Sequence, residues 1–146
     1  MITFQKILCP VDYSNCSMNA LAYATELALK DSSRLYLLYV KDEHVSDYGG
    51  LKFDADFNYT AETVAGMEQR LRSSIPEEIR RSINVKILIR AGIPFEEILK
   101  AARDEEAELI VMGTHGRTGI AHMVIGSVAE KVIRNAPCPV LCIRNK

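Results

Sequence analysis

The sequence predicts an α/β fold in which helices cover both faces of one doubly wound parallel sheet. Short apolar runs, typical of parallel strands buried on both faces, alternate along the chain with segments whose apolar residues recur at helical spacing. This βαβαβαβαβ order argues for a parallel sheet. The 146 residues also match the commonest size of one domain. We therefore expect a single domain over residues 1–146.

The first strand and helix follow from an apolar run and an alanine-rich segment. Residues 7–11 form the run, which ends at Asp12. Ser14 and Ser17 then offer hydroxyl groups that can cap a helix. The apolar residues beyond them have helical spacing, which predicts a helix over about residues 16–30.

A second strand, a long loop and a second helix come next. Residues 35–40 form another apolar run, which predicts a buried strand. Residues 41–59 are polar and irregular, which predicts a loop, and loops of that length in compact domains are usually functional or mobile. A helix follows over about residues 60–74, with Pro76 just beyond its end.

The second half of the chain supplies three strands and two helices. Partial alternation over residues 85–90 predicts a strand near an edge of the sheet. Pro94 suits the first turn of a helix whose apolar residues recur at i, i+3, i+4 and i+7. A buried strand over residues 109–112 ends at Gly113, and a last amphipathic helix leads into the final strand, residues 140–143.

Charge and cysteine use argue against several classes of function. Lys and Arg number 18 against 19 Asp and Glu, with no basic patch, so neither nucleic-acid binding nor a membrane-surface role is expected. No apolar run approaches the about 20 residues that span a bilayer, and the first residues lack the zones of a signal peptide, so we expect a cytoplasmic protein. The four cysteines form no Cys-x-x-Cys pair and the three histidines lack ligand spacing, so we expect core thiols rather than a metal site.

The loop from Gly113 to Ser127 carries the most chemical information. It follows a buried strand, opens a helix and has further glycines at Gly116 and Gly126. Glycines let the backbone approach a ligand, and a helix N-terminus presents unpaired N–H groups and partial positive charge, which together favour a phosphate site at a strand's carboxyl end. The alternative is a flexible loop with a Gly-Ser helix start. Neither a P-loop nor a dinucleotide fingerprint is present.

The spacing of this loop, G-x₂-G-x₉-G-S from Gly113 to Ser127, resembles the ATP-binding motif of the universal stress protein family. Residues 7–14, 92–94 and 136–141 also resemble segments of that family, in the same order. The resemblance implies a Rossmann-like, five-stranded sheet with strand order 3-2-1-4-5 and one nucleotide-binding domain. The intact glycine motif is similar to that of the family members that bind ATP.

The resemblance also implies which residues form an ATP site. Asp12 would accept hydrogen bonds from the ribose, although capping of the first helix is its alternative role, and the chain near Val40 would meet the adenine. The loop would hold the ribose and phosphates, with a divalent cation, Mg or Mn, carried by the phosphates rather than by assigned protein ligands. The implied ATP-binding residues are Pro10, Val11, Asp12, Val40, Met112, Gly113, His115, Gly116, Arg117, Gly126, Ser127 and Val128.

Three functions remain open at this point. The first is a nucleotide-binding switch in the stress response that meets an unidentified regulatory protein. The second is a slow ATP hydrolase or nucleotidyl enzyme, although the sequence shows no complete catalytic set. The third is a structural homodimer with a vestigial motif. In the family's strand order the apolar segment 139–143 lies at a sheet edge, so we expect two copies to pair there as a homodimer.

Overall fold

The computed structural model of the chain describes residues 1–43, 61–116 and 125–145. In chain order the elements are β1 (Lys6–Pro10), α1 (Asn15–Asp31), β2 (Arg34–Asp42), α2 (Ala61–Ser73), α3 (Glu77–Arg80), β3 (Asn84–Gly92), α4 (Pro94–Asp104), β4 (Leu109–Gly113), α5 (Ser127–Asn135) and β5 (Val140–Ile143). The strands form one parallel sheet in the order β3-β2-β1-β4-β5. This confirms the predicted class, the strand order and the edge position of β3.

The core has two apolar layers, one on each face of the sheet. β1 lies at the centre and alternates between them: Ile7 and Cys9 face one layer and Leu8 faces the other, and all three are fully buried. Leu71 packs α2 into the first layer beside α1, whereas Val132 packs α5 into the second beside α4. Helices therefore cover both faces, as the sequence predicts.

β2 and β3 are longer than predicted, β3 running from Asn84 to Gly92 instead of over residues 85–90, and one short helix was not predicted. β2 continues to Asp42, two residues into the predicted loop 41–59, because β3 runs alongside and pairs Asp42 with Gly92. The short helix is α3, which the sequence pattern missed because a helix of four residues is too short to show an apolar face. Residues 44–59 of the predicted loop lie outside the described residues.

Both ends of α1 carry identifiable signals. The Oγ of Ser14, the N-cap residue, accepts a hydrogen bond from the N–H of Ser17 at 3.2 Å. At the other end Ser32 adopts a left-handed conformation with φ 55°, and the N–H of Ser33 donates to the Ala28 carbonyl at 3.0 Å. Among the described residues α1 is the longest helix, and none of the helices there is long and apolar enough to cross a membrane.

The four cysteines are free thiols. Cys9 and Cys16 are buried in the core. Cys138 and Cys142 are partly buried: Cys138 lies between α5 and β5, and Cys142 lies in the edge strand β5. Burial raises the pKa of the thiols of Cys9, Cys138 and Cys142 above the ordinary value. Because the thiolate is the reactive form, this burial makes these cysteines poor nucleophiles.

Candidate functional site

The carboxyl ends of β1 and β4 lie side by side where the strand order reverses. The chain runs outwards from β1 to β2 and β3, and then returns to the opposite side of β1 as β4. The turn after β1 starts at Val11, and the loop after β4 starts at Thr114. Open parallel sheets bind ligands at this kind of switch point. The fold therefore brings the first and fourth predicted strand ends to one place.

The turn between β1 and α1 is held by the side chains of Asp12 and two serines. Oδ1 of Asp12 accepts a hydrogen bond from the N–H of Ser14 at 2.9 Å, and the Asp12 N–H donates to the Ser17 hydroxyl at 3.2 Å. Ser14 itself is the N-cap of α1. Asp12 therefore stabilises the turn that precedes the helix. Ser14, and not Asp12, is the N-cap residue of α1.

Tyr13 is a strained residue in this turn that sequence reasoning missed. Its φ is 64°, a left-handed conformation that is a true outlier for a bulky side chain. The ring lies 5.7 Å from the ring of Tyr39, and the guanidinium carbon of Arg70 lies 4.0 Å from its centroid. These contacts from β2 and α2 hold the turn in place, and such strain concentrates at functional sites.

The loop after β4 approaches the Asp12 turn at Gly116. A Cβ atom added at Gly116 would lie 2.9 Å from Oδ2 of Asp12. A larger residue would therefore press on this carboxylate, whereas glycine lets the loop pass close to it. The two residues that the sequence assigned to ribose and phosphate thus meet across the switch point, although they are 104 positions apart.

The other two glycines of the loop are packed against protein rather than against open space. A Cβ at Gly113 would lie 2.9 Å from the carbonyl carbon of Cys16 and 3.0 Å from the nitrogen of Ser17. A Cβ at Gly126 would lie 2.9 Å from the carbonyl oxygen of Thr114. Neither glycine has a left-handed φ. A side chain at either position would therefore meet backbone, because the end of β4 and the residue after it pack closely against α1 and the N-cap of α5.

The first turn of α5 points towards the same loop. Gly126 is the N-cap residue, and its N–H donates to the Thr114 carbonyl at 2.6 Å. The Gly126 carbonyl accepts the usual helix hydrogen bond from the Glu130 N–H at 3.0 Å. Because Gly126 has no side chain, the first N–H groups of α5 have no side-chain cap from this residue. Ser127 follows as the first helical residue, exposed and not at the cap position. A partial positive charge is therefore placed beside the loop.

Thr114 links the loop after β4 to α1 and β5, and it was not predicted from the sequence. Its Oγ1 lies 3.0 Å from Nδ1 of His115 and 3.6 Å from Sγ of Cys16. The Cys16 thiol donates to the Ile143 carbonyl at 3.1 Å, and the Thr114 N–H donates to the same oxygen at 3.0 Å. A polar residue directly after a buried strand was the available signal.

The remaining predicted residues differ in whether a side chain or only backbone atoms could face a ligand. Val40 lies two positions beyond Leu38, the partner of Pro10, and so stands level with Asp12, inside β2 and two residues before its end. Arg117 lies outside the described residues. Val128 is half-buried in the first turn of α5. Three predicted residues have buried side chains and can offer only their backbone: Pro10, Val11 and Met112.

Comparison with known proteins agrees with this architecture. The sequence model of the Universal stress protein family matches residues 3–144. Universal stress protein MJ0531 of Methanocaldococcus jannaschii is 35% identical over 144 residues, which cover 97% of this chain and 82% of that protein. Universal stress protein MJ0577 of the same organism is 31% identical over 161 residues, which cover 99% and 98%.

Solved structures give the same result. The structure of MJ0577 superposes with a TM-score of 0.81 at 31% identity and covers 99% of both chains. Universal stress protein UspA from Lactobacillus plantarum gives a TM-score of 0.74 at 26% identity and covers 99% of this chain and 100% of that one. The similarity therefore extends over the whole sheet and all of the described helices.

Proposed function

The chain belongs to the universal stress protein family, and from that premise we propose that it binds ATP between the ends of β1 and β4 and acts as a nucleotide-dependent switch in the stress response. The observation that carries the proposal is the meeting of Asp12 and Gly116. A carboxylate lies directly beneath a glycine of the G-x₂-G-x₉-G-S motif, at the switch point of a parallel sheet.

Each group at this point suits one part of the nucleotide. The Asp12 carboxylate suits the two vicinal hydroxyls of a ribose, because a charged acceptor forms strong hydrogen bonds. Gly116, which has no side chain, would let a ligand approach the backbone N–H groups of the loop. The start of α5, with Ser127 in its first turn, suits the phosphates. The adenine would then lie towards Val40, in the neighbouring strand β2.

The metal in this proposal accompanies the phosphates. Among residues 1–43, 61–116 and 125–145, no group of three or more His, Cys, Asp or Glu side chains could hold a metal ion. Mg or Mn would therefore be bound by phosphate oxygens and water, as Mg²⁺ usually is in nucleotide sites. Its role would be to neutralise phosphate charge beside the N-terminus of α5.

Other solved members of the fold support adenine nucleotides as the ligand class. A universal stress protein in complex with cAMP has a TM-score of 0.69 at 19% identity, and one from Archaeoglobus fulgidus in complex with dAMP has a TM-score of 0.62 at 24% identity. At these identities the likeness itself concerns the fold. The proposal for this chain therefore rests on its own Asp12–Gly116 contact and intact glycine motif.

The proposal has three further parts. Residues 1–146 form one nucleotide-binding domain, and two copies pair through the segment 139–143. The switch acts on a regulatory protein partner in the cytoplasm, where thiols such as the four free cysteines stay reduced. No nucleic acid or membrane partner is proposed, because the sequence charges are balanced.

The test is the nucleotide that the purified protein carries. Denatured protein should release ATP or ADP, identified by mass spectrometry, whereas a Gly116→Val preparation of equal concentration should release far less. Phosphate release from added ATP then separates the switch from the slow hydrolase: the switch gives at most one turnover, and the hydrolase gives a steady rate. Failure to release or to bind any adenine nucleotide would leave only the structural homodimer.

A further inference from the structure

We infer that Thr114 is a positioning residue for the nucleotide loop, because it fixes the imidazole of His115 and ties it to α1 and β5; this inference rests on the proposed ATP-binding function. Thr114 is only 5% exposed, directly after β4. Its hydroxyl lies 3.0 Å from Nδ1 of His115 and 3.6 Å from the sulfur of Cys16. A buried hydroxyl needs hydrogen-bond partners, and the two neighbours of Thr114 on different elements restrict its orientation.

The neighbouring hydrogen bonds restrict what the Thr114 hydroxyl can do. The Cys16 thiol donates its hydrogen to the Ile143 carbonyl at 3.1 Å, so its sulfur can act as an acceptor towards Thr114. The hydroxyl carries one hydrogen and either gives it to His115 Nδ1 or accepts one from that nitrogen. In both tautomers Nδ1 is engaged by Thr114, which restrains rotation of the ring.

The position of His115 makes this orientation relevant to the nucleotide. A Cβ at Gly126 would lie 3.5 Å from the His115 Cα, so the histidine stands beside the start of α5. The next residue, Gly116, faces the Asp12 carboxylate. The backbone of His115 therefore lies between the start of α5 and Gly116, which border the proposed phosphate and ribose positions. A ring free to rotate would present two nitrogens to the ligand at random, whereas a ring held at Nδ1 presents one edge.

The backbone of Thr114 fixes its own position from both sides. Its N–H donates to the Ile143 carbonyl at 3.0 Å, and its carbonyl accepts from the Gly126 N–H at 2.6 Å. The Thr114 backbone therefore links β5 to Gly126, the N-cap residue of α5. Because these bonds involve main-chain atoms, a side-chain substitution leaves them in place and isolates the contribution of the hydroxyl.

The experiment compares Thr114→Val, Thr114→Ser and a matched control, Thr25→Val. Valine keeps the branched shape without the hydroxyl, and serine keeps the hydroxyl. Thr25 is equally buried, at 4% exposed, and its hydroxyl bonds only within α1, to the Ala22 carbonyl at 2.8 Å. Ring ¹⁵N resonances of His115 are recorded without ligand, and the Kd for Mg-ATP is measured by calorimetry.

We expect Thr114→Val to move the His115 Nδ1 resonance and to raise the Kd for ATP roughly fivefold, the usual size for one lost hydrogen bond. Thr114→Ser should restore both values, and Thr25→Val should change neither. In a His115→Ala background Thr114→Val should have no further effect on the Kd, because the two substitutions act through one contact.

Two results would overturn the inference. One is an unchanged His115 Nδ1 resonance in Thr114→Val. The other is a loss of ATP affinity in Thr25→Val equal to that in Thr114→Val, which would mean a general effect of stability. If the wild-type protein binds no ATP, the proposed function fails, but the ligand-free resonances still decide whether Thr114 holds the imidazole.

Discussion

At the scale of single residues, the two carboxylate oxygens of Asp12 have different surroundings. Oδ1 accepts from the N–H of Ser14 and holds the turn that precedes α1. Oδ2 lies beneath Gly116, where a Cβ would approach it to 2.9 Å. Holding the turn needs only a hydrogen-bond acceptor, whereas recognition of ribose hydroxyls gains from a negative charge. A substitution that removes the charge alone therefore separates structure from function.

Asp12→Asn should weaken ATP binding at least about tenfold, because hydrogen bonds to a charged acceptor are lost. The free energy of unfolding should change by less than about 0.5 kcal/mol, because the amide oxygen can still accept from Ser14. Asp12→Ala should bind as weakly and also lose about 1 kcal/mol of stability. Calorimetry and urea unfolding measure the two quantities. An Asp12→Asn protein with wild-type affinity would remove Asp12 from the ribose site.

At the scale of elements, the first turn of α1 packs directly on the end of β4. The contact is possible because Gly113 has no side chain: a Cβ there would lie 2.9 Å from the Cys16 carbonyl carbon. The neighbouring atoms are main-chain atoms of a helix and cannot move independently. Gly66, in the middle of α2, offers the opposite case, because no atom of the described part of the chain lies within 4 Å of a Cβ added there.

Alanine at these two glycines should change stability in opposite directions. Gly113→Ala should destabilise the protein by about 1–3 kcal/mol, because α1 must move away from β4. Gly66→Ala should stabilise it by up to about 1 kcal/mol, because alanine is the better helix residue and lowers the entropy of the unfolded chain. Urea unfolding without nucleotide gives both values. Equal effects of the two substitutions would contradict the packing of α1 on β4.

The elements also show what the sequence could predict. Apolar runs and helical spacing located every strand and the four longer helices, because these signals are local. The last two residues of β2 were missed, since Asp42 becomes a strand residue only by pairing with Gly92, 50 positions away. The short helix α3 was missed because four residues show no periodicity.

The candidate site was predictable in its positions but not in its contacts. Spacing and family resemblance identified Asp12 and Gly116 without showing that they touch. Thr114 was missed because its side-chain partner Cys16 is 98 residues away in the sequence. The family resemblance assigns Gly126 to the ATP site, which stays a prediction; that a Cβ there would lie 2.9 Å from the Thr114 carbonyl oxygen could not be read from the sequence. Contacts between distant segments are set by the assembled sheet, which no local pattern reports.

At the scale of the whole molecule, β5 is an edge strand with an apolar surface. It pairs on one side with β4, and its other side has no neighbouring strand among the described residues. Leu141 is 38% exposed, and Arg144 is the nearest charged residue in the described sequence beyond it. Apolar edges with few charges tend to pair with a second chain. The segment 139–143 is therefore the proposed dimer contact.

Light scattering at micromolar concentration should give a mass near twice 16.3 kDa. Leu141→Lys should give the monomer, because a charge at the paired edge disfavours association. Leu29→Lys is the matched control, since Leu29 has nearly the same exposure, 39% against 38%, but lies on α1. A wild-type monomer at this concentration, or dimers of Leu141→Lys, would count against pairing through β5.

The most direct test of the central claim is calorimetric titration of Mg-ATP into the wild-type protein and Gly116→Val. The wild type should bind ATP with saturation. Gly116→Val should keep the circular dichroism of the wild type, because Gly116 is exposed and, among the described residues, a Cβ there would meet the end of the Asp12 side chain, yet it should bind no nucleotide. Absence of binding to the wild type at millimolar ATP, or equal affinity in Gly116→Val, would contradict a nucleotide site at the ends of β1 and β4.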